Sequence, residues 1–97
     1  MSHARLAARE VYQLLKDVAQ GERALRLLDE TQGALQIEID GWRLTLLHEG
    51  RVLQCCRHCQ VTDGRQGSLD DWHRSGTDPL AFLSAWEQRQ IERRLWG

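Results

Sequence analysis

The sequence predicts a two-layer α+β domain in which helices cover one face of an antiparallel sheet. Apolar residues recur at helical spacing between Ala4 and Gln20, and strict alternation of apolar and polar residues begins at Leu35. Capping residues at Asp78 introduce a second amphipathic stretch. The predicted order is an N-terminal helix, a three-stranded β-meander, a long loop and a C-terminal helix, with both helices on one sheet face.

Length and composition indicate a single small domain spanning residues 1–97. The chain is 41% hydrophobic and 28% charged, and its net charge of −1 disfavours a dedicated nucleic-acid binder. The sequence has neither an apolar run of membrane-spanning length nor the apolar core of a signal peptide. We therefore expect a cytoplasmic protein that does not enter a membrane, and a thin core that a homodimer helps to cover.

The first helix is predicted from Ala4 to Gln20, with Gly21 as the residue that ends it. Residues 23–28 fit either a short helical turn or an edge strand, and residues 29–33 are predicted to form a turn. The apolar face of the helix comprises Leu6, Val11, Leu14, Leu15 and Val18.

A β-hairpin is predicted around Asp40-Gly41, a dipeptide typical of a type I′ turn. A two-residue turn there puts the apolar residues of both strands on one face and pairs Glu38 with Arg43 on the other. Apolar pattern and turn chemistry therefore agree on one register. The predicted apolar pairs are Ile39 with Trp42, Ile37 with Leu44, and Leu35 with Leu46.

A second reversal is predicted at residues 49–50, and two registers are open for it. A two-residue turn puts Leu53 and Cys55 on the apolar face and leaves Cys56 beside Arg43 on the polar face. A three-residue turn with a bulge reverses that assignment. We favour the first register because it extends the apolar face. Its pairs are Leu46 with Leu53, Leu44 with Cys55, and Trp42 with Arg57.

The C-terminal third begins with a long polar connection over residues 61–76, in which Ser68 and Asp71 resemble a cap for one short helical turn. Asp78 and Pro79 then start a short helix, and a capping box at Ser84 starts a second one. The predicted helices cover 79–83 and 85–95, and their buried stripe comprises Leu80, Leu83, Trp86, Ile91 and Leu95.

Four motifs mark turns and caps along the chain: Ala8-Arg9-Glu10-Val11-Tyr12, Asp40-Gly41-Trp42-Arg43-Leu44, Asp63-Gly64-Arg65, and Asp78-Pro79 leading to Ser84. Together they resemble a family of short uncharacterised bacterial proteins, a domain of unknown function. The resemblance covers nearly the whole chain and implies a shared fold, and it assigns no catalytic residue. The chain departs from the family pattern at Thr62, where the family has proline, and in its dense cysteine segment.

All three cysteines lie in the segment Cys55-Cys56-Arg57-His58-Cys59. Zinc is usually held by two pairs of Cys or His ligands, and Cys56 with Cys59 has the spacing of one pair. A second pair is missing, and the remaining candidates besides His58 are Cys55, His48 and His73. Adjacent strand residues point to opposite faces, which separates Cys55 from Cys56, and His48 lies roughly 13 Å from Cys55 in a regular hairpin. The sequence therefore offers one candidate zinc site, formed by Cys56, His58, Cys59 and His73.

The same segment has two further interpretations. On a polar face, positive neighbours favour a thiolate at Cys56, which then acts alone or as a redox pair with Cys59. Alternatively, the cysteines pack as small apolar residues of the core. We favour core packing, which requires no cofactor. The odd number of clustered cysteines also disfavours a secreted disulfide framework.

The tryptophans divide into two groups. Trp42 and Trp86 fall on predicted apolar stripes, so we expect them in the core. Trp72 lies in the polar connection and Trp96 is the penultimate residue, which makes both candidate anchors for a partner. The alternative is that Trp72 folds back over the sheet edge and Trp96 covers the core.

The functional hypothesis is a small cytoplasmic, non-catalytic interaction or regulatory domain that binds a protein partner or itself. The alternative is a zinc- or thiol-based module centred on Cys56, His58 and Cys59. A weaker option is an enzyme whose site lies in the 62–76 connection and uses Asp71 and His73. The basic residues of the last helix, Arg89, Arg93 and Arg94, are expected to form a solvated face.

Overall fold

The computed structural model describes residues 5–75 and 77–97. These residues form an α+β domain with helices at both ends of the chain and an antiparallel sheet between them. The elements are α1 (Ala8–Ala19), β1 (Arg26–Thr31), β2 (Ala34–Ile39), β3 (Trp42–Glu49), β4 (Val52–Val61), β5 (Gln66–Ser68), α2 (Leu69–Ser75), a 3₁₀ turn (Pro79–Phe82) and α3 (Ala85–Trp96).

The sheet has five strands in the order β1-β2-β3-β4-β5, so the prediction of three strands is wrong. The predicted meander corresponds to β2, β3 and β4, and one strand is added at each edge. All six residues of β1 are exposed, so this strand lacks the alternation that reveals a half-buried strand. β5 is only three residues long and lies inside the polar connection.

The first hairpin has the predicted register. Glu38 pairs with Arg43, and the three predicted apolar pairs are all present. Asp40 and Gly41 both have positive φ, 50° and 86°, as a type I′ turn requires. The local chemistry of the turn is therefore sufficient to set this part of the sheet.

The second hairpin differs from the favoured register. The turn residues are Gly50 and Arg51, with φ of 57° and 64°, and Glu49 pairs with Val52. Two register shifts follow on β4, which lead to pairing of Leu46 with Cys56 and of Leu44 with Cys59. The prediction that Cys56 lies on the polar face is therefore wrong, because each bulge advances β4 by one residue and changes which side chains face inward.

Helix α1 begins at Ala8, four residues after the predicted start at Ala4, which lies outside the described residues. The backbone N–H of Ala7 donates to Glu10 Oε2 over 2.9 Å. The buried face of α1 and Ile91 of α3 pack with the inward residues of β2, β3 and β4 in one core. The core residues of α1 are Val11, Leu14, Leu15, Val18 and Ala19.

The two edges of the sheet differ. At the β5 edge, the Leu6 backbone N–H donates to the Gln66 carbonyl oxygen over 3.0 Å, and Arg5 forms a parallel bridge with the same residue. The N-terminal segment therefore covers this edge. The β1 edge is open, with Leu27 and Leu28 exposed by 41% and 38%.

The predicted caps of the C-terminal region are confirmed. Asp78 Oδ1 accepts from the backbone N–H of Leu80 over 2.9 Å. Ser84 and Glu87 form a reciprocal capping box at the start of α3, with donor–acceptor distances of 3.1 and 2.8 Å. Among the described residues, no helix is long and apolar enough to cross a membrane.

Candidate functional site

The cysteine segment is part of the core. Cys56 and Cys59 are fully buried, whereas Cys55 is half-buried. Residues three apart on a regular strand face opposite sides, but the bulge between these two cysteines turns both inward. The Cys56 backbone N–H donates to Asp78 Oδ1 over 3.3 Å, so the 3₁₀-turn cap also supports this irregular part of β4.

Burial makes these thiols weak acids. Loss of hydration raises the pKa of Cys59 to about 12 and raises the pKa of Cys56 well above its usual value. The charge interaction between the two cysteines raises the pKa of Cys56 further. The positive neighbours expected to favour a thiolate do not lie around Cys56, because the polar-face register does not form. At neutral pH both side chains therefore act as small apolar groups.

The four candidate zinc ligands are not brought together. Cys56 and Cys59 face the core, whereas His58 is half-buried next to Cys59 on a strand whose neighbouring side chains point to opposite faces. His58 Nε2 lies 3.3 Å from Gln66 Oε1. His73 is exposed on α2. Within 5–75 and 77–97, no group of three or more Cys, His, Asp or Glu side chains is placed to hold a metal ion.

Trp72 is buried, with 2% of its surface exposed, so it is not an exposed anchor and instead folds back over the sheet edge, the alternative given for it. Its indole N–H donates to the Leu6 carbonyl oxygen over 3.0 Å. A Cβ atom added at Gly67 lies only 2.9 Å from Trp72 Cζ2, which shows how closely the ring approaches β5. The indole therefore joins α2 to the covered edge of the sheet.

Trp96 is partly buried against the core, which is the second of the two interpretations given for it. Its indole N–H donates to Glu30 Oε2 over 3.0 Å, and its ring centroid lies 5.1 Å from that of His48. Both ring nitrogens of His48 are buried and have no hydrogen-bond partner among the described residues. Trp96 thus closes the end of the core, and it does so over a histidine whose polar atoms are unsatisfied.

The described part of the connection, residues 62–75, does not form an open loop, because it contains β5 and α2. The Ser68 hydroxyl donates to Asp71 Oδ2 over 3.2 Å, a contact between side chains rather than the backbone bond of a capping box. Asp71 also lies 3.5 Å from Arg5 and lines a pocket of about 370 Å³ with Ser68 and His58. The structure therefore uses Asp71 to hold α2 and the N-terminal segment.

The tryptophan that is exposed is Trp86, with 57% of its surface accessible. It lies on the first turn of α3, and Arg89 and Arg93 follow it three and seven residues later. This spacing puts the three side chains on one side of the helix. The prediction that Trp86 belongs to the core is wrong, because the buried residues of α3 are Glu87 and Ile91.

A signal for this orientation was present in the sequence. Ile91 and Leu95 are four residues apart, so their stripe extends backwards to Glu87. Trp86 is five residues from Ile91, which corresponds to about 140° around the helix. Because the capping box at Ser84 interrupts the helix, the spacing from Leu83 to Trp86 does not define a continuous face.

Arg51 completes this surface from the β3–β4 turn. It lines a pocket of about 230 Å³ together with Arg89 and Arg93, and Glu92, Trp96 and Gly97 form the rest of the wall. We name Arg51, Arg89 and Arg93 the arginine pocket. Its members come from elements distant in sequence, so only the fold brings them together.

Comparison with known proteins identifies the family of this chain but does not indicate an activity. No curated protein and no solved structure matches the chain. One family model matches residues 5–96, which is nearly the whole chain. The chain therefore belongs to the family described as Domain of unknown function (DUF7693).

Proposed function

We propose that this chain is a small cytoplasmic, non-catalytic interaction domain that binds a protein partner through the outer surface of α3. The proposal rests on Trp86, which lies on a regular helix with 57% of its surface exposed. A large aromatic side chain in water is unfavourable unless a partner covers it, and tryptophan and arginine are enriched among residues that dominate binding energy.

The magnitude is appropriate for an anchor. A tryptophan buries roughly 200 Å² when fully covered. Covering the exposed part, 57%, at about 25 cal/mol per Å² contributes about 3 kcal/mol. Truncation of such a residue to alanine typically costs 2 kcal/mol or more, which is about thirtyfold in Kd.

The chemistry of the thiols supports a non-catalytic role. Burial raises the pKa of Cys56 and Cys59, so neither is a nucleophile at neutral pH. All three cysteines are free thiols, which is typical of a reducing compartment and supports a cytoplasmic location.

The test uses a photo-crosslinking amino acid in place of Trp86, with the same substitution at exposed Gln54 on β4 as the control. We expect a discrete adduct at position 86 that is absent at position 54. The captured protein is then purified, and its affinity is measured by calorimetry for the parent and for Trp86→Ala. A loss of about thirtyfold supports the proposal. Equal adducts at both positions, or an unchanged Kd, contradict it.

Self-association is a second candidate, favoured by the open β1 edge. Leu27 and Leu28 are exposed there, and an edge strand offers unpaired backbone groups to a second strand. Because the N-terminal segment covers the β5 edge, pairing of two β1 strands forms a dimer to which no further copy can add by strand pairing. Sedimentation equilibrium of the parent and of Leu28→Lys tests this: a dimer that the lysine dissociates supports it, and a monomeric parent excludes it.

A further inference from the structure

The arginine pocket carries positive charge that the chain itself does not neutralise. Among the described residues, no carboxylate lies within 4.0 Å of the guanidinium groups of Arg51, Arg89 or Arg93. By contrast, Arg23 contacts two carboxylates, those of Asp17 and Asp40, at 3.0 and 2.7 Å. Within the same residues, Arg9, Arg43, Arg57 and Arg94 likewise have no such contact, so the pocket is distinguished by the convergence of three guanidinium groups without a carboxylate partner in one place.

Glu92 is the carboxylate in the wall of the pocket, and it is already engaged. Its Oε2 atom accepts from the backbone N–H of Leu53 over 2.9 Å and from Gln88 Nε2 over 3.0 Å. These bonds hold Glu92 against β4 rather than across the pocket. The three arginines thus remain available to an external anion.

Two features of the pocket are unfavourable for the isolated fold. Arg89 and Arg93 are four residues apart on α3, where like charges destabilise a helix. Arg51 has a φ of 64°, in the left-handed region where glycine or asparagine is more stable. The helix dipole favours Arg93 in the last turn, but Arg89 lies too far from the C-terminus for the same benefit. The two-residue turn itself requires the positive φ, so what the stability of the fold leaves unexplained is the choice of arginine at this position.

We propose that the arginine pocket binds the carboxylate side chains of an acidic protein segment. The proposal rests on the proposed function, since it names the chemistry of the partner segment next to Trp86. Guanidinium groups bind carboxylates in a bidentate, charge-assisted geometry. Trp86 and Arg89 are three residues apart, so one segment can cover the indole and reach the pocket. The partner segment therefore combines an apolar residue with Asp or Glu.

The observations favour a protein over a nucleic acid. A nucleic-acid site needs a broad basic face, and this chain has 14 acidic residues against 13 basic ones. Electrostatic complementarity adds specificity and speeds association.

The experiment titrates the ¹⁵N-labelled chain with a peptide of alternating Glu and Leu residues, with its Gln counterpart, and with an oligothymidine of equal length. We expect the acidic peptide to shift the amide signals of Arg51, Arg89 and Arg93 and the indole signal of Trp86. The double variant Arg89→Gln/Arg93→Gln then weakens binding about tenfold or more. The matched control is Arg43→Gln/Arg57→Gln, which removes two exposed arginines of the sheet and leaves the affinity unchanged.

Arg51→Gly separates binding from folding. Glycine relieves the left-handed backbone at this position, so the urea midpoint rises while the affinity for the acidic peptide falls. If Arg51 served only to stabilise the fold, Arg51→Gly would lower the urea midpoint relative to the parent. This variant therefore tests the pocket without the risk that a loss of binding reflects unfolding.

Three outcomes overturn the inference. The first is equal weakening by the control pair, which indicates a general charge effect. The second is tighter binding of oligothymidine at the same residues, which replaces the acidic segment by a nucleic acid. The third is loss of partner affinity in Trp86→Ala with none in Arg89→Gln/Arg93→Gln. In that third case the proposed function stands and only the acidic segment is rejected.

Discussion

Truncation of Trp72 to alanine is expected to destabilise the whole fold. The side chain is 98% buried, as 2% remains exposed, and it fills the space between α2, β5 and the N-terminal segment. Removing a buried tryptophan typically costs about 3–5 kcal/mol through lost contacts and the cavity left behind. The substitution also leaves the Leu6 carbonyl oxygen without its 3.0 Å donor. Since domains of this size are stable by about 5–15 kcal/mol, Trp72→Ala removes at least about a fifth of the total.

The measurement is urea unfolding followed by far-UV circular dichroism. With an m-value of about 2 kcal/mol per molar, a loss of 4 kcal/mol lowers the midpoint by about 2 M. Trp72→Phe separates the two contributions, because it retains most of the ring but lacks the N–H donor; we expect a loss of about 1–2 kcal/mol. This milder variant keeps the test decisive if Trp72→Ala does not fold.

The control is Trp86→Ala, the same chemical change at a site that is 57% exposed. We expect its unfolding free energy to stay within about 0.5 kcal/mol of the parent. If Trp72→Ala costs less than about 1 kcal/mol, or no more than Trp86→Ala, the described packing of Trp72 is refuted. That result is the one expected for an exposed anchor.

Four further predictions follow from single contacts. Gly67→Ala lowers the free energy of unfolding by about 1–3 kcal/mol, because its Cβ meets Trp72 at 2.9 Å. We expect Asp78→Ala to lower the free energy of unfolding by about 1–2 kcal/mol in urea denaturation. Its carboxylate accepts from a backbone N–H of the 3₁₀ turn and from one of β4. We expect His48→Leu to leave the free energy of unfolding unchanged or to raise it by about 1 kcal/mol, because it removes two buried ring nitrogens that have no hydrogen-bond partner among the described residues. A clear decrease in the free energy of unfolding contradicts this prediction. We expect the free energy of unfolding, measured at increasing alkaline pH, to fall by about 1.4 kcal/mol per pH unit because of the Cys59 thiol.

The sign of the last prediction follows from the raised pKa. Burial puts the pKa of Cys59 at about 12 in the folded chain, against about 9 when unfolded. Between these values the unfolded thiol has lost its proton and the folded thiol keeps it, so rising pH favours unfolding. Stability is complete below pH 9 and is lost as the pH rises towards 12. Cys59→Ala flattens this slope relative to the parent, and an identical slope contradicts the burial argument.

Local chemistry was sufficient for part of the fold. The Asp40-Gly41 turn and the alternation around it determine the β2–β3 register, because the turn type and the apolar face impose the same pairing. The capping residues Asp78 and Ser84 likewise mark the two starts of the C-terminal helical region. Each of these features depends on residues within a few positions of one another. The resemblance to a domain of unknown function is confirmed by the family model that matches residues 5–96.

The cysteine segment shows where such reasoning fails. Inward and outward positions on β4 depend on two bulges, and nothing in its own sequence announces them. One of these irregularities is supported by Asp78, which lies 22 residues after Cys56 and accepts its backbone N–H. The spacing of the cysteines predicts a candidate metal or thiol site. The bulges instead place these cysteines in the core.

Tertiary contacts also decide where two of the tryptophans lie. Trp72 lies in a polar stretch, and its burial depends on β5 and on Leu6, which is 66 residues away. Trp86 lies in an amphipathic stretch, but the helix phase set by Glu87 and Ile91 turns it outward. The hydropathy of the residues around Trp72 gives no guide to its burial, whereas the spacing of Ile91 and Leu95 indicates the outward orientation of Trp86.

Turn chemistry and periodicity in the sequence specify the α+β class, the first hairpin and the caps of the C-terminal helical region. The number of strands, the inward turn of Cys56 and Cys59, and the meeting of Arg51 with Arg89 and Arg93 follow from tertiary packing. These depend on contacts between residues tens of positions apart. The candidate binding surface belongs to this second group, since its charges converge only when the β3–β4 turn packs beside α3.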